Sequence, residues 1–587
     1  MALVMMFSAT SAIMAQETAP LPGDTATVRQ DSVPMRNVKL DELVVEEALV
    51  EHSAKGDTYK VTEEMRRGVD GTLQMLGRLP GVDYNFVNNS ITVRNDAKVL
   101  IQVNGNQMPD GYLKALSPDH IDKVEVTYVP QARYSAAGYR YVIDIKLKPE
   151  YRGHEIYVGN FMMVSAGDNN GDDVVANEQP QAMYMYSGDK VDFNVGYVFG
   201  EINWNYPLSY SKSYTGIADI LTDEYTEKNP NDHNRTHAAF AGLDWHIKPE
   251  QTLSFRANYE NLDIGRTVEN RIHATDADGI EQISSEASEN DQKSDNITGA
   301  MIYRGKLCEK WNVYASIGYS RLDADALNSY TLLGGYASEN LYRNTRDYLS
   351  GNFDLTYAIN DNMWLNVGYL GTWNRYDSRL KADDRLLSQS TDGRHNAYVY
   401  YDYMPSQKLL LHVGSGVEYI RRTGLEGIGK GYWNWLPQVS LTYMPTQKVR
   451  LTADYKAQME YPMQYQLSTA GYDIDSLMRF TGNPLLAPAR THSVSLSASV
   501  DKFYAQVQYS TTRDFISEWY APLGDKTFMS TFTNARYHSF TAMAGYDWRI
   551  SENVNWSNTL QLGYYKIRLG GISHDNTNFC MNSQLDY

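Results

Sequence analysis

A few stretches of this chain bring together residue types that could do chemistry. Gly427-Ile-Gly-Lys-Gly431 sets a lysine among glycines, as a phosphate cradle would. Such a cradle needs a strand before it and a helix after it; neither flanks this one, so a flexible loop is expected. Asp168-Asn-Asn-Gly-Asp-Asp173 and Asp276-Ala-Asp-Gly279 gather oxygen ligands as calcium loops do. Neither follows the full twelve-residue calcium pattern, and solvated turns are expected instead. Tyr432, Trp433 and Trp435 could stack on a ligand or join an aromatic girdle at a membrane surface, and no binding role is assigned to them. His-Glu-x-x-His, a Walker loop and Gly-x-Ser-x-Gly are all absent, and the 12 histidines are scattered. No catalytic residue, cofactor or metal site is expected, and no enzyme activity.

Cys308 and Cys580 are the only cysteines, too few for a disulfide framework or a thiolate zinc site. The net charge of −18 argues against nucleic acid as a partner, because a phosphate backbone demands a basic surface. With 587 residues the chain exceeds one ordinary core, so one giant sheet or several domains must organise it. Mean hydropathy is −0.49, and no run reaches the length of a membrane helix. A membrane β-strand needs only about 9–11 residues with every second one apolar, so this absence leaves a barrel open. The 46 Tyr and 10 Trp against 15 Phe suit strands ending at a membrane–water boundary.

The clearest strand runs from Val449 to Met459. Val449, Leu451, Ala453, Tyr455, Ala457 and Met459 face one way, and Arg450, Thr452, Asp454, Lys456 and Gln458 the other. The same alternation recurs in Trp311–Ser320, Met363–Tyr369 and Phe503–Tyr509. Short polar turns join the strands in pairs, among them Ser187–Lys190, Lys248–Gln251, Asn360–Asn362, Met404–Gln407 and Met444–Gln447. Longer polar stretches separate the pairs: Pro207–Arg235, Asp263–Asn290 and Glu460–Pro488 read as loops. Short turns at one rim and long loops at the other define an outer-membrane barrel, with lipid against the apolar face. The expected fold is therefore mostly β, a transmembrane antiparallel β-barrel of about eighteen strands over residues 151–587.

Residues 1–15 end in small side chains after an apolar run and read as a signal peptide. Residues 16–57 form a polar linker holding one β-prone patch, Leu40-Asp-Glu-Leu-Val-Val45. Residues 58–149 read as a small α/β domain. Leu73, Leu76 and Leu79 give a helix stopped by Pro80-Gly81, and Asn104-Gly105 turns a hairpin after the strand Val99–Val103. Ser117-Pro118-Asp119 starts a helical turn, and Ile121–Val126 and Tyr141–Leu147 complete a sheet.

The order of these pieces resembles the plug domain of TonB-dependent receptors. The resemblance rests on Leu76-Gly-Arg-Leu-Pro-Gly-Val82, Ile91-Thr-Val-Arg94, Val99–Gly105, Ile121–Val126, Pro130–Tyr134 and Val142–Lys148. Its plug signature covers Leu79, Pro80, Gly81, Val82, Arg94, Asn104 and Gly105. In the barrel, Gly482-Asn-Pro-Leu-Leu-Ala-Pro488 is similar to the family's Gly-Asn-Pro-x-Leu-x-Pro-Glu, with Ala489 in place of the glutamate. Leu40, Asp41, Glu42, Leu43, Val44 and Val45 resemble the family's Ton box, a fragment of linker packed on the plug being the less favoured reading. Gly138 stands where the family's last plug turn usually has paired glycines. Family barrels have twenty-two strands, so the resemblance implies a sequence cut short at its C-terminal end.

What the resemblance implies is a receptor–transporter in the outer membrane of a Gram-negative bacterium, taking up a siderophore, corrinoid, glycan or peptide. Its implied partners are a TonB-type periplasmic energy-coupling protein at Leu40–Val45, outer-membrane lipid, and a surface lipoprotein as a further candidate. A surface adhesin or scaffold with a merely structural plug is the rival reading.

Overall fold

The computed structural model describes residues 50–586, apart from 70, 86–89, 95, 109–111, 114–115, 131, 149–151, 167–173, 204–207, 214–219, 277–278, 333–334, 336, 425–428, 475–477, 501, 524–527 and 551–553. The signal-peptide and Leu40–Val45 expectations thus fall outside the described residues, as do residues 16–49 of the expected linker, Asp168–Asp173 and Gly427; residues 50–57, expected as linker, instead form a strand, a turn and the start of a second strand of the small domain.

The N-terminal part builds a small domain. β1 (Val50–His52) and β2 (Gly56–Lys60) form a hairpin, followed by α1 (Glu63–Arg66) and α2 (Thr72–Leu76). β3 (Val82–Asn85) and β4 (Ser90–Val93) pair as a separate ribbon. β5 (Val99–Val103), β6 (Asn106–Gln107), β7 (Ile121–Thr127), α3 (Ala132–Ala136) and β8 (Tyr141–Leu147) follow. The main sheet has the order β1-β2-β7-β8-β5-β6, with β5 and β8 parallel. Met75, Leu76, Ile121, Val124, Ile143 and Ile145 are wholly buried between this sheet and its helices.

α2 is shorter than its leucine spacing suggests. It ends at Gly77, where β3 passes so close that a Cβ would lie 2.7 Å from the Tyr84 Cβ. Pro80-Gly81 instead makes the turn into β3, with Gly81 at φ +72°. Asn104 and Gly105 both have positive φ, 49° and 74°, the backbone of a tight two-residue hairpin turn.

From Gly153 onward the chain is almost all strand. Of its 21 strands three are short (Ser209–Ser213, Tyr472–Asp473, Met478–Phe480), leaving eighteen long ones of 11 to 29 residues among the described residues. Neighbouring long strands pair antiparallel in chain order and curl into a barrel around the small domain. Strand Ile572–Asp586 is registered with Asn555–Leu569 along its length and is exposed on both faces. In the barrel order this strand is followed by Gly153–Ala166, which closes the ring.

The wall is apolar outside and polar inside, the reverse of a soluble fold. Val367, Tyr369, Val439, Leu441 and Leu451 are exposed, while Asn366, Asn396, Ser440, Thr442 and Arg450 are buried. Water would penalise such an outer face, whereas hydrocarbon accepts it. Near its long-loop end the outer face carries a repeated pair. A tyrosine hydroxyl bonds a residue of the next strand, two positions beyond its cross-strand partner. Tyr197–His237 (2.6 Å), Tyr259–Asp295 (2.6 Å), Tyr369–His395 (2.5 Å) and Tyr455–His492 (3.0 Å) are examples. Amphipathic rings with a polar tip settle where lipid meets headgroups, so the belt marks that level.

Two of the expected loops are not loops. Strands Ile220–Lys248, Gln251–Asp276 and Glu281–Cys308 take in residues 220–235, 263–276 and 281–290 of these stretches as paired ribbons. Their sequence becomes polar on both faces because the ribbon leaves the lipid, while its backbone ladder continues.

Candidate functional site

The small domain fills the barrel and shares its core with the wall. Met183, Met185 and Phe240, from two barrel strands, belong to the same buried cluster as Leu76, Val124 and Ile143. α3 packs against the wall through Arg133, whose guanidinium stacks over the rings of Tyr134 (4.6 Å) and Tyr314 (5.1 Å).

The firmest attachment lies at the short-turn rim. Arg450 points inward from strand Val449–Glu460 and grips Asp57 of β2 at 2.5 and 3.0 Å. The same guanidinium donates to the carbonyls of Ser53 (2.7 Å) and Gly56 (3.2 Å), closing over the β1–β2 turn. Asp57 also accepts from Tyr128 (2.9 Å) and Tyr59 (3.4 Å) and meets the His52 Nδ1 at 2.7 Å. Burial alone would raise the Asp57 pKa, but the bonds from His52 and Arg450 overcome it and hold the carboxyl well below the usual range. Burial, with the Asp57 carboxylate beside it, pushes the Tyr128 phenol up to about 12 and keeps it a donor. The Tyr128 ring lies between two cations, Arg94 at 4.2 Å and Arg450 at 4.7 Å.

The backbone joins this latch. The Ala54 N–H donates to the Gln407 carbonyl at 2.9 Å, inside the short turn between Ser406 and Leu409. Ala54 and Val129 pack with Leu410 and Met444 from the same rim. The chain therefore enters the barrel at its short-turn end, and Leu40–Val45 immediately precedes this entry hairpin.

The plug-signature residues fall into two groups in the domain. Leu79 and Val82 are buried, and the Arg94 N–H bonds the Gly81 carbonyl at 2.8 Å, tying the helix stop to β4. Gly105 donates to Asp144 (2.8 Å), Leu147 donates to the Asn104 side chain (3.0 Å), and Arg304 of the wall reaches the Asn104 carbonyl (3.2 Å).

At the opposite mouth, the segment after Glu460 folds inward as a strap, not outward as a loop. It carries α4 (Gln464–Leu467) and the short strands Tyr472–Asp473 and Met478–Phe480. Tyr342 donates to the Gly471 carbonyl (2.7 Å), Thr469 to that of Leu387 (3.1 Å), and Gln464 bonds Ser390. On the far side Met478–Phe480 pairs parallel with Phe528–Ser530. The Gly-Asn-Pro segment pins this strap: Asn483 donates to the Phe532 carbonyl (2.9 Å), and Asn534 exchanges bonds with Ala487 (2.8 and 3.0 Å). A Cβ on Gly482 would lie 2.5 Å from the Ser468 carbonyl oxygen, so only glycine fits under α4.

Of the chemical candidates, Gly429–Gly431 is strand without a helix behind it, and Trp433 and Trp435 stand 73 % and 61 % exposed on the outer face. Both cysteines are free and exposed.

Fold and plug together define an outer-membrane β-barrel protein with its lumen filled by its own N-terminal domain, seated in the outer membrane of a Gram-negative cell. Residues 309–587 match the outer membrane protein beta-barrel family. A variant of the ferric enterobactin receptor PfeA of Pseudomonas aeruginosa is similar in structure, with TM-score 0.55 and 15 % identity over 90 % of this chain and 85 % of that one. The siderophore receptor PirA of the same organism gives 0.53 and 14 % over 90 % and 91 %. The copper transporter OprC gives 0.56 and 12 % over 88 % and 81 %. These likenesses are of fold, the plugged barrel that the resemblance to TonB-dependent receptors implies. No curated protein matches the chain.

Proposed function

We propose that the protein is an energy-coupled receptor–transporter: the exterior ribbons and strap capture a scarce solute, and the plug gates its entry. No bond in the solute needs to change, so the protein acts without catalysis. The reading is supported by the position of the latch. A pull on Leu40–Val45 from the periplasm reaches the β1–β2 hairpin first, and Arg450 with Asp57 is what resists it. A sequence of β-prone residues ahead of that hairpin suits strand addition to a periplasmic energy-coupling protein of the TonB type. A surface lipoprotein partner and the solute class (siderophore, corrinoid, glycan or peptide) belong to the same proposal.

The test is deletion of Leu40–Val45 with solute uptake and surface binding measured separately. Lost uptake with retained binding is expected; unchanged uptake would overturn the coupling.

A further inference from the structure

Three side chains from three adjacent strands converge on the outer face of the exterior ribbons. The Nε2 of His233 lies 3.2 Å from an Asp263 carboxylate oxygen and 3.3 Å from one of Asp291. All three ligand atoms lie within 4.8 Å of one another. The convergence depends on the residue between them. Gly265 pairs with both His233 and Asp291, and a Cβ there would sit 1.8 Å from the Asp291 oxygen and 2.2 Å from the His233 ring. A glycine amid long β-ladders weakens the strand, so what it gives here is space, filled by the imidazole and carboxylate leaning over it.

We propose that His233, Asp263 and Asp291 form a binding site for a divalent transition ion of the zinc type. A tetrahedral ion with bonds of about 2.0–2.1 Å to nitrogen and oxygen separates its ligands by roughly 3.3 Å. The two His233–carboxylate distances match that edge. One imidazole with two carboxylates suits a borderline ion better than magnesium or calcium, which prefer oxygen alone. Two carboxylates also cancel the ion's double charge.

The site is reachable. The three side chains are 33 %, 26 % and 26 % exposed. Asp263 lies four residues beyond Tyr259 of the tyrosine belt, about 13 Å along the strand, so the ion sits above the lipid. The site leaves its fourth position open to water. Lys293, 3.4 Å from Asp263, is the internal competitor for that carboxylate.

Zinc ion alone is the probe, titrated calorimetrically into the detergent-solubilised full chain carrying no histidine tag. One site is expected that weakens roughly tenfold or more in His233→Ala and in Gly265→Ala, whose new methyl group intrudes on the cradle. Lys293→Ala should bind as tightly or more tightly. Heat-modifiable migration in gels confirms that each variant is folded. Equal titration of the parent and His233→Ala, or no binding by the parent, overturns the proposal and leaves an imidazole lying between two carboxylates.

Discussion

Arg450 and Asp57 are 393 residues apart in sequence, yet they meet at 3.0 Å with their side chains about 95 % buried. One belongs to the wall and the other to the second strand of the plug, so this pair joins the two parts of the molecule.

Removing one partner leaves a buried charge uncompensated, which costs about 3–5 kcal/mol. Arg450→Ala should therefore loosen the entry hairpin while the barrel stays folded. Proteolysis of β1–β2 at the short-turn side is expected to quicken at least tenfold. An unchanged cleavage rate would show that the backbone bond from Ala54 to Gln407 suffices alone.

Acid should act on the same joint. The folded-state pKa of Asp57 is depressed, so its contribution is present above the ordinary carboxylate value of 3.8 and is lost as pH falls below it. Protease resistance of the plug is expected to hold at neutral pH and to fall below about pH 4. Asp57→Asn should already be sensitive at pH 7 and lack that acid step.

The strap gives a third test. Gly482→Ala forces a methyl group against backbone carbonyls, an overpacking cost of about 1–3 kcal/mol. Asn534→Ala removes both bonds to Ala487 and leaves half-buried groups to find other partners, at a cost of about 1 kcal/mol. Each variant should expose Tyr472–Phe480 to protease added outside the cell, without changing cleavage at the plug.

The lipid face can be probed by charge. Leu441→Arg near the bilayer midplane should cost about 2–4 kcal/mol and lower the thermal midpoint of the barrel. The neighbouring Ser440 faces the lumen, and Ser440→Ala, which adds neither charge nor volume, should cost clearly less. Equal effects at both positions would mean that the wall does not meet hydrocarbon.

Much of this architecture was legible because strand alternation is a local signal. Val449 to Met459 announces its two faces residue by residue, and Asn104-Gly105 announces its turn through positive φ. The latch was not legible. Alternation turns Arg450 toward the wet interior but cannot name a carboxylate nearly four hundred residues away. β1 and β2 are short and polar and show no clear period. The ribbons were read as loops because polarity on both faces marks departure from lipid, and the ladder Asn234↔Ile264 to Ile220↔Asp276 continues regardless. The strap was hidden because its contacts with Tyr342, Leu387 and Asn534 come from strands on opposite sides of the mouth.

The continued ladder makes the part of the molecule outside the cell a palisade of hydrogen-bonded staves. A visitor wider than its aperture meets a frame that cannot splay without breaking cross-strand bonds along a whole stave. Cross-strand bonds thus stiffen the wall well beyond the tyrosine belt, above the level of the plug's own attachment at the short-turn rim.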